Sequence, residues 1–163
     1  MKIIFATNNK NKVEEIKHLS HKNFQILTLQ EAGIDIDIPE PHDTLEANAT
    51  EKSSTIYTIT NEAVFSEDTG LEVDALGGAP GVKSARYAGE GRNMQDNIDK
   101  LLQELKDKPT RAAQFRTVVS LIIAGKEYQF QGICKGHITN EMAGTNGFGY
   151  DPVFIPEGSN TTF

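Results

Sequence analysis

Hydrophobic and polar positions along this chain fall into short runs of differing period. Residues 2–6, KIIFA, form an apolar stretch that predicts a buried strand. The period then changes. Val13, Ile16 and Leu19 recur at helical spacing among charged residues, and residues 24–29 turn apolar again. Strand, polar turn, helix and strand make a βαβ-like opening. Residues 33–41, GIDIDIPEP, are turn-rich and acidic. Asp43 or Thr44 is placed to cap a helix running to about Thr58, with Glu46 in its first turn. The β-branched Thr55, Ile56 and Thr58 leave the end of that helix open.

The second half continues the mixture. Residues 63–66 predict a strand ending in the loop Glu67-Asp68-Thr69-Gly70, and residues 71–73 a resumed strand. GGAPG at residues 77–81 reads as a loop. Met94, Ile98, Leu101, Leu102 and Leu105 line one side of a predicted helix over 94–105. Two strands, 112–124 and 127–133, flank a hairpin turn at Gly125-Lys126, with a further strand at 136–138. Residues 146–152, NGFGYDP, form another loop before the apolar 153–155. No repeat, linker or low-complexity segment interrupts the pattern. The expectation is one α/β domain over residues 1–163 with a mixed sheet.

Composition narrows the function classes. The 163 residues are 37% hydrophobic and 24% charged, enough for one real core. The net charge of -7 argues against a nucleic-acid partner, which needs a basic face, but leaves room for a small phosphate ligand held by local donors. Cys134 is the only cysteine, which excludes an intrachain disulfide and a cysteine-based zinc site; it is expected to be a small buried hydrophobe. No apolar run is long enough for a membrane span and no secretory pattern opens the chain, so a cytoplasmic location and no membrane partner are expected. His18, His21, His42 and His137 lack metal-ligand spacing, and no GxSxG anchors serine catalysis.

The candidate chemistry lies in the polar loops. Thr7, Asn8, Asn9, Lys10, Asn11 and Lys12 sit at a strand-to-helix turn, where backbone N–H groups and a helix dipole favour an anion. The same residues equally suit an Asn-capped turn with solvated lysines. Glu67 and Asp68 are adjacent carboxylates of the kind Mg2+ takes together with phosphate oxygens and water. Strand alternation suggests that only one of the two faces a site. Thr69 can donate to a ligand oxygen. Glu40, stiffened between Pro39 and Pro41, is the other acidic candidate. Arg86 is a possible anion fork, and Tyr87 suits either core or ligand stacking. Phe148, Gly149, Tyr150 and Asp151 can offer a flat ring and an acceptor to a base, or form a plain hairpin loop around a buried Phe.

Four segments in this order resemble the inosine triphosphate pyrophosphatase family: ATNNKNK at residues 6–12, TLEANATEK at 44–52, FSEDTGLEVDALGGAPGVKSARYAG at 65–89 and NGFGYDPVF at 146–154. The resemblance spans the whole chain. It implies an elongated mixed β-sheet with flanking helices and two lobes around a central nucleotide cleft, working as a homodimer. It implies hydrolysis of ITP, dITP or XTP to the monophosphate and pyrophosphate with Mg2+, removing deaminated purines from the nucleotide pool. Thr7, Asn8, Asn9 and Lys12 match the triphosphate loop, and Lys52 a second phosphate-facing lysine. Asp68 matches the catalytic acid and metal ligand, Glu40 a second metal carboxylate and Thr69 a substrate contact. Phe148, Gly149, Tyr150 and Asp151 match the loop that holds the base, with Phe148 stacking. The family pattern continues past Phe163 into a Lys and a Ser-His-Arg motif that this sequence does not contain. The alternative expectation is therefore a catalytically weak or idle nucleotide-binding protein.

Overall fold

A computed structural model describes residues 1–19, 22–144 and 147–163. Its elements are β1 (Lys2–Phe5), α1 (Lys10–Leu19), β2 (Gln25–Leu27), α2 (Leu45–Thr60), β3 (Val64–Val73), β4 (Pro80–Gly81), α3 (Met94–Leu105), β5 (Ala112–Ile123), β6 (Lys126–Ile138) and β7 (Phe154–Pro156). The strands run in the order β2-β1-β3-β5-β6-β7, and β4 pairs with β3. β1 lies parallel to β2 and to β3, while β3/β4 and β6/β7 are antiparallel. The predicted α/β class with a mixed sheet is what the chain forms.

The chain divides into two compact units, residues 1–68 with 118–131 and residues 69–117 with 132–163. In the first, Ile4, Ala6, Leu29, Ile38, Ile56, Val64 and Ile122 form the core. In the second, Leu71, Val73, Ile98, Leu101, Leu105, Ile138, Val153 and Phe154 do so, with the Tyr150 ring among them.

Several boundaries differ from the sequence expectation. β2 is only three residues long, and the apolar stripe of α1 is shallow, with Leu19 79% exposed. The segment Glu67-Asp68-Thr69-Gly70, expected to be a loop, lies inside the ten-residue strand β3. Low strand propensity is overridden there by partners for the buried polar groups. Gly70 also has a steric reason to be glycine, since a Cβ at that position would meet the Gly81 carbonyl oxygen at 2.5 Å. Residues 136–138 are the end of β6 rather than a separate strand. The β5–β6 turn holds Ala124 and Gly125 at φ 50° and 79°, a two-residue hairpin connection. Cys134 is half-buried against the second core rather than fully enclosed.

α2 explains its own length. Thr44 caps it by accepting from Ala47 N at 3.1 Å, and Asn61 ends it in the left-handed region. The hydroxyls of Thr55, Thr58 and Thr60 donate to carbonyls four residues back, so these threonines fit within the last turns.

Candidate active site

The first unit gathers charged side chains from four parts of the chain. Its starting point is the turn between β1 and α1. Asn9 Oδ1 accepts from Asn11 N at 2.9 Å and from Lys12 N at 3.3 Å, which makes Asn9 the cap of α1. Thr7 Oγ1 accepts from Asn9 N, and Asn8 Nδ2 donates to the Ile36 carbonyl. The capped-turn reading is thus realised, and it coexists with a helix N-terminus that can receive an anion. Asn8, Asn9, Lys10 and Asn11 are exposed, whereas Lys12 is folded inward.

Lys12 Nζ lies 2.5 Å from Glu67 Oε1, with their side chains 19% and 9% exposed. Lys52 comes from the buried face of α2 and donates to the Glu67 main-chain carbonyl at 2.6 Å and to Glu40 Oε1 at 3.1 Å. The same ammonium stands 3.7 Å from Asp68 Oδ1. Two lysines and three carboxylates therefore share one largely buried neighbourhood. The helix α2 is fixed beside it by Ser66 Oγ, which donates to the Ala49 carbonyl, and by a Ser53–Ser120 hydroxyl contact of 2.7 Å.

Burial and neighbouring charge set the protonation of these groups. Burial pushes the Asp68 carboxyl up to about 6; Lys52 opposes the shift, Glu40 adds to it, and Lys12 and Glu67 act more weakly. For Lys12, burial acts against the charge, but Glu67, then Asp68 and Glu40, outweigh it and hold the ammonium above its ordinary value. Asp68 Oδ2 is buried with no hydrogen-bond partner among the described residues. A carboxylate oxygen left in that state suits a cation or a water molecule. Among the described residues no group of three or more His, Cys, Asp or Glu side chains forms a ready metal cage. The donor set fits Mg2+ bound through one or two carboxylates with the rest of its shell from substrate and water.

The remaining candidates belong to the second unit. Thr69 Oγ1 and Thr117 Oγ1 are 2.8 Å apart. Asp151 Oδ2 accepts from Phe148 N, which closes the loop on itself, and burial raises the Asp151 carboxyl. Gly149 has φ 61°, a conformation that favours glycine. Phe148 is half-buried, whereas Tyr150 is 5% exposed. The Tyr150 hydroxyl donates to the Ser84 carbonyl at 2.6 Å, so its observed place is as an anchor of the loop. Asn146 and His21 lie outside the described residues. Tyr87 packs against the second core and donates to Glu104, with Lys100 Nζ 4.2 Å from its ring centroid.

Two features lie beyond the local sequence pattern. Glu67 and Asp68 are each met by a lysine from a different helix. Ser84 Oγ accepts from Leu71 N and donates to the Gly81 carbonyl. The expectation that only one of the two acids faces the site differs from the structure, where each meets a lysine of the same cluster.

Residues 3–163 match the model of the Ham1 family. Among similar proteins is the dITP/XTP pyrophosphatase of Flavobacterium johnsoniae, 50% identical across 100% of this chain and 85% of its own length. The dITP/XTP pyrophosphatase of Porphyromonas gingivalis is 48% identical over 99% of this chain and 84% of its own. Among solved structures, the Staphylococcus aureus Ham1 protein superposes with TM-score 0.87 at 37% identity, covering 99% of this chain and 84% of that one. A nucleoside-triphosphatase, dITP/XTP pyrophosphatase, from Mycobacterium abscessus gives 0.81 at 36% identity, covering 99% and 87%.

Proposed function

This chain belongs to the Ham1 family, and on that premise we propose that it hydrolyses ITP, dITP and XTP to the monophosphate and pyrophosphate. Such an activity removes deaminated purines from the nucleotide pool. The observation that carries the reading is the buried cluster of Lys12, Lys52, Glu40, Glu67 and Asp68 beside a capped helix N-terminus.

Phosphoryl transfer asks chiefly for positioning and charge neutralisation. Lys12 and Lys52 would donate to phosphate oxygens and stabilise the charge that develops on the leaving pyrophosphate. Backbone N–H groups of residues 7–12 would orient the same chain of phosphates. Asp68, with its unpartnered oxygen, would hold the attacking water and accept its proton. The new bond joins the water oxygen to the α-phosphorus. The bond that breaks links the α-phosphorus to the bridging oxygen, so pyrophosphate leaves in one piece. Asp68 and Glu40 would hold Mg2+, which supplies charge neutralisation and polarisation of the phosphate when bound.

The roles of Thr69, Phe148, Gly149, Tyr150 and Asp151 toward the base rest on the family resemblance of their sequence. A site that donates to a 6-keto oxygen is left with unpaired groups when adenine enters, which is the physical basis for rejecting it. Residues 1–163 are treated as one pyrophosphatase domain, since β3, β5 and β6 each carry residues of both units. A homodimer in the cytoplasm completes the proposal, and the exposed rings of Tyr128 and Phe130 on β6 offer apolar surface for it. No described helix is long and apolar enough to cross a membrane.

The test is pyrophosphate release by the 163-residue chain with Mg2+, comparing dITP with dATP and dGTP. Release from dITP in strong preference is expected. No release from dITP overturns the reading in favour of an idle nucleotide-binding protein, and equal release from dATP overturns the selectivity for deaminated purines.

A further inference from the structure

We infer that Glu67 is a built-in counter-anion for Lys12, a positioning residue that weakens the grip on the phosphate product and so speeds its release. The inference rests on the proposed pyrophosphatase reading and adds a role for a residue that reading leaves unused.

The charges in the cluster carry the argument. Lys52 is matched by Glu40 and Asp68 at 3.1 and 3.7 Å. Lys12 is matched by Glu67 at 2.5 Å. Two ammonium groups thus face three carboxylates, and the neighbourhood is net negative once Asp68 is ionised. Without Glu67 it would be neutral. Asp68 and Glu40 are the acids that would hold Mg2+, whereas Glu67 faces Lys12, where its like charge opposes a bound polyanion. The third acid is useful where a highly charged product must leave. Where product release limits turnover, a grip that holds pyrophosphate as tightly as substrate lowers kcat. The pair is also enclosed, with side chains 19% and 9% exposed, so solvent screening of it is limited. An incoming phosphate must compete with Glu67 for the Lys12 ammonium. The same competition, together with repulsion between Glu67 and the bound polyanion, acts again when pyrophosphate departs.

Glu67→Gln isolates the charge, since the amide oxygen can still accept from Lys12. The direct probe is inorganic pyrophosphate, titrated calorimetrically into the whole 163-residue chain with Mg2+. The variant is expected to bind it about tenfold tighter, with KM for dITP lowered and kcat lowered alongside. A merely structural role would reduce thermal stability and activity without tightening binding. Adding Lys12→Met to Glu67→Gln is expected to abolish the tightening, as coupled partners require. Should Glu67→Gln not fold, Glu67→Asp draws the charge back by one methylene, and a smaller tightening of the same sign is expected. Unchanged or weaker pyrophosphate affinity in a folded variant overturns the inference. The wild-type chain separates the two readings: failure to hydrolyse dITP overturns the proposed function. An active wild type whose Glu67→Gln variant binds pyrophosphate no tighter overturns this inference alone.

Discussion

Helices α2 and α3 make an instructive pair. α3 buries Asn97, Ile98, Leu101 and Leu105, largely an apolar stripe packed in a core. α2 buries Leu45, Asn48, Ala49, Lys52, Ser53 and Ile56, which follow the same helical spacing with polar groups on half the face. Asn48 is used locally, its Oδ1 accepting from His42 N at 2.9 Å. Ser53 meets Ser120, and Lys52 enters the charged cluster. One helix buries surface to stabilise the fold. The other spends part of its buried face on groups that are costly to desolvate and useful only where they are held.

Substitutions should separate these two uses. The largest effect is expected from Lys52→Met, which keeps the length of the side chain and removes its charge. Pyrophosphate release from dITP should fall by about 100-fold or more in kcat/KM, as for loss of an electrostatic donor to a transition state. Steady-state kinetics check this, and retention of more than a third of the activity would place Lys52 outside the chemistry.

Leu101→Ala in α3 is the counterpart. Leu101 is fully buried, and its truncation should cost about 2–5 kcal/mol in urea unfolding, while activity per folded molecule at low temperature changes little. Equal losses of activity from both helices would erase the contrast.

The smallest expected effect concerns Asp68 and pH. Burial pushes its carboxyl up to about 6 in the folded chain, above the ordinary aspartate range. An acid raised on folding costs nothing at low pH. The native state keeps the proton while the unfolded chain loses it between about 4 and 6, so stability falls through that window and the full cost applies above it. Asp68→Asn should therefore stabilise the Mg2+-free protein at pH 8 by on the order of 2 kcal/mol, seen as a higher melting temperature, and by progressively less toward pH 4. Melting curves across that range check the sign. A destabilised variant at pH 8 would mean that attraction to the lysines outweighs burial.

The contrast between the helices also shows what the amino-acid pattern can reveal. α3 is plain in the sequence because Ile98, Leu101 and Leu105 obey helical spacing, and Asn97 is the one polar residue buried among them. The boundaries of α2 were harder. Its last threonines look strand-like until their hydroxyls are seen to bond the preceding turn. The residues around Asp68 read locally as a loop, because Glu, Asp and Gly are poor strand formers. Their partners, Lys12 and Lys52, lie 55 and 16 positions away from Glu67 and Asp68 respectively by subtraction, beyond any local pattern. Asn9 as a cap was readable from its place before the helix. The role of Tyr150 as an anchor was not, since its partner is a main-chain carbonyl at Ser84.

A main-chain partner has a consequence for how this protein can vary over time. Lys52 donates to the carbonyl of residue 67, a group that every amino acid possesses. No substitution at that position can delete the acceptor so long as the strand keeps its path. The side chain at 67 is consequently at liberty to drift in charge and length, retuning its dealings with Lys12, while the second lysine stays anchored. Variation in one half of the cluster is insulated from the other, and selection can adjust product release without first dismantling the machinery that performs the cleavage.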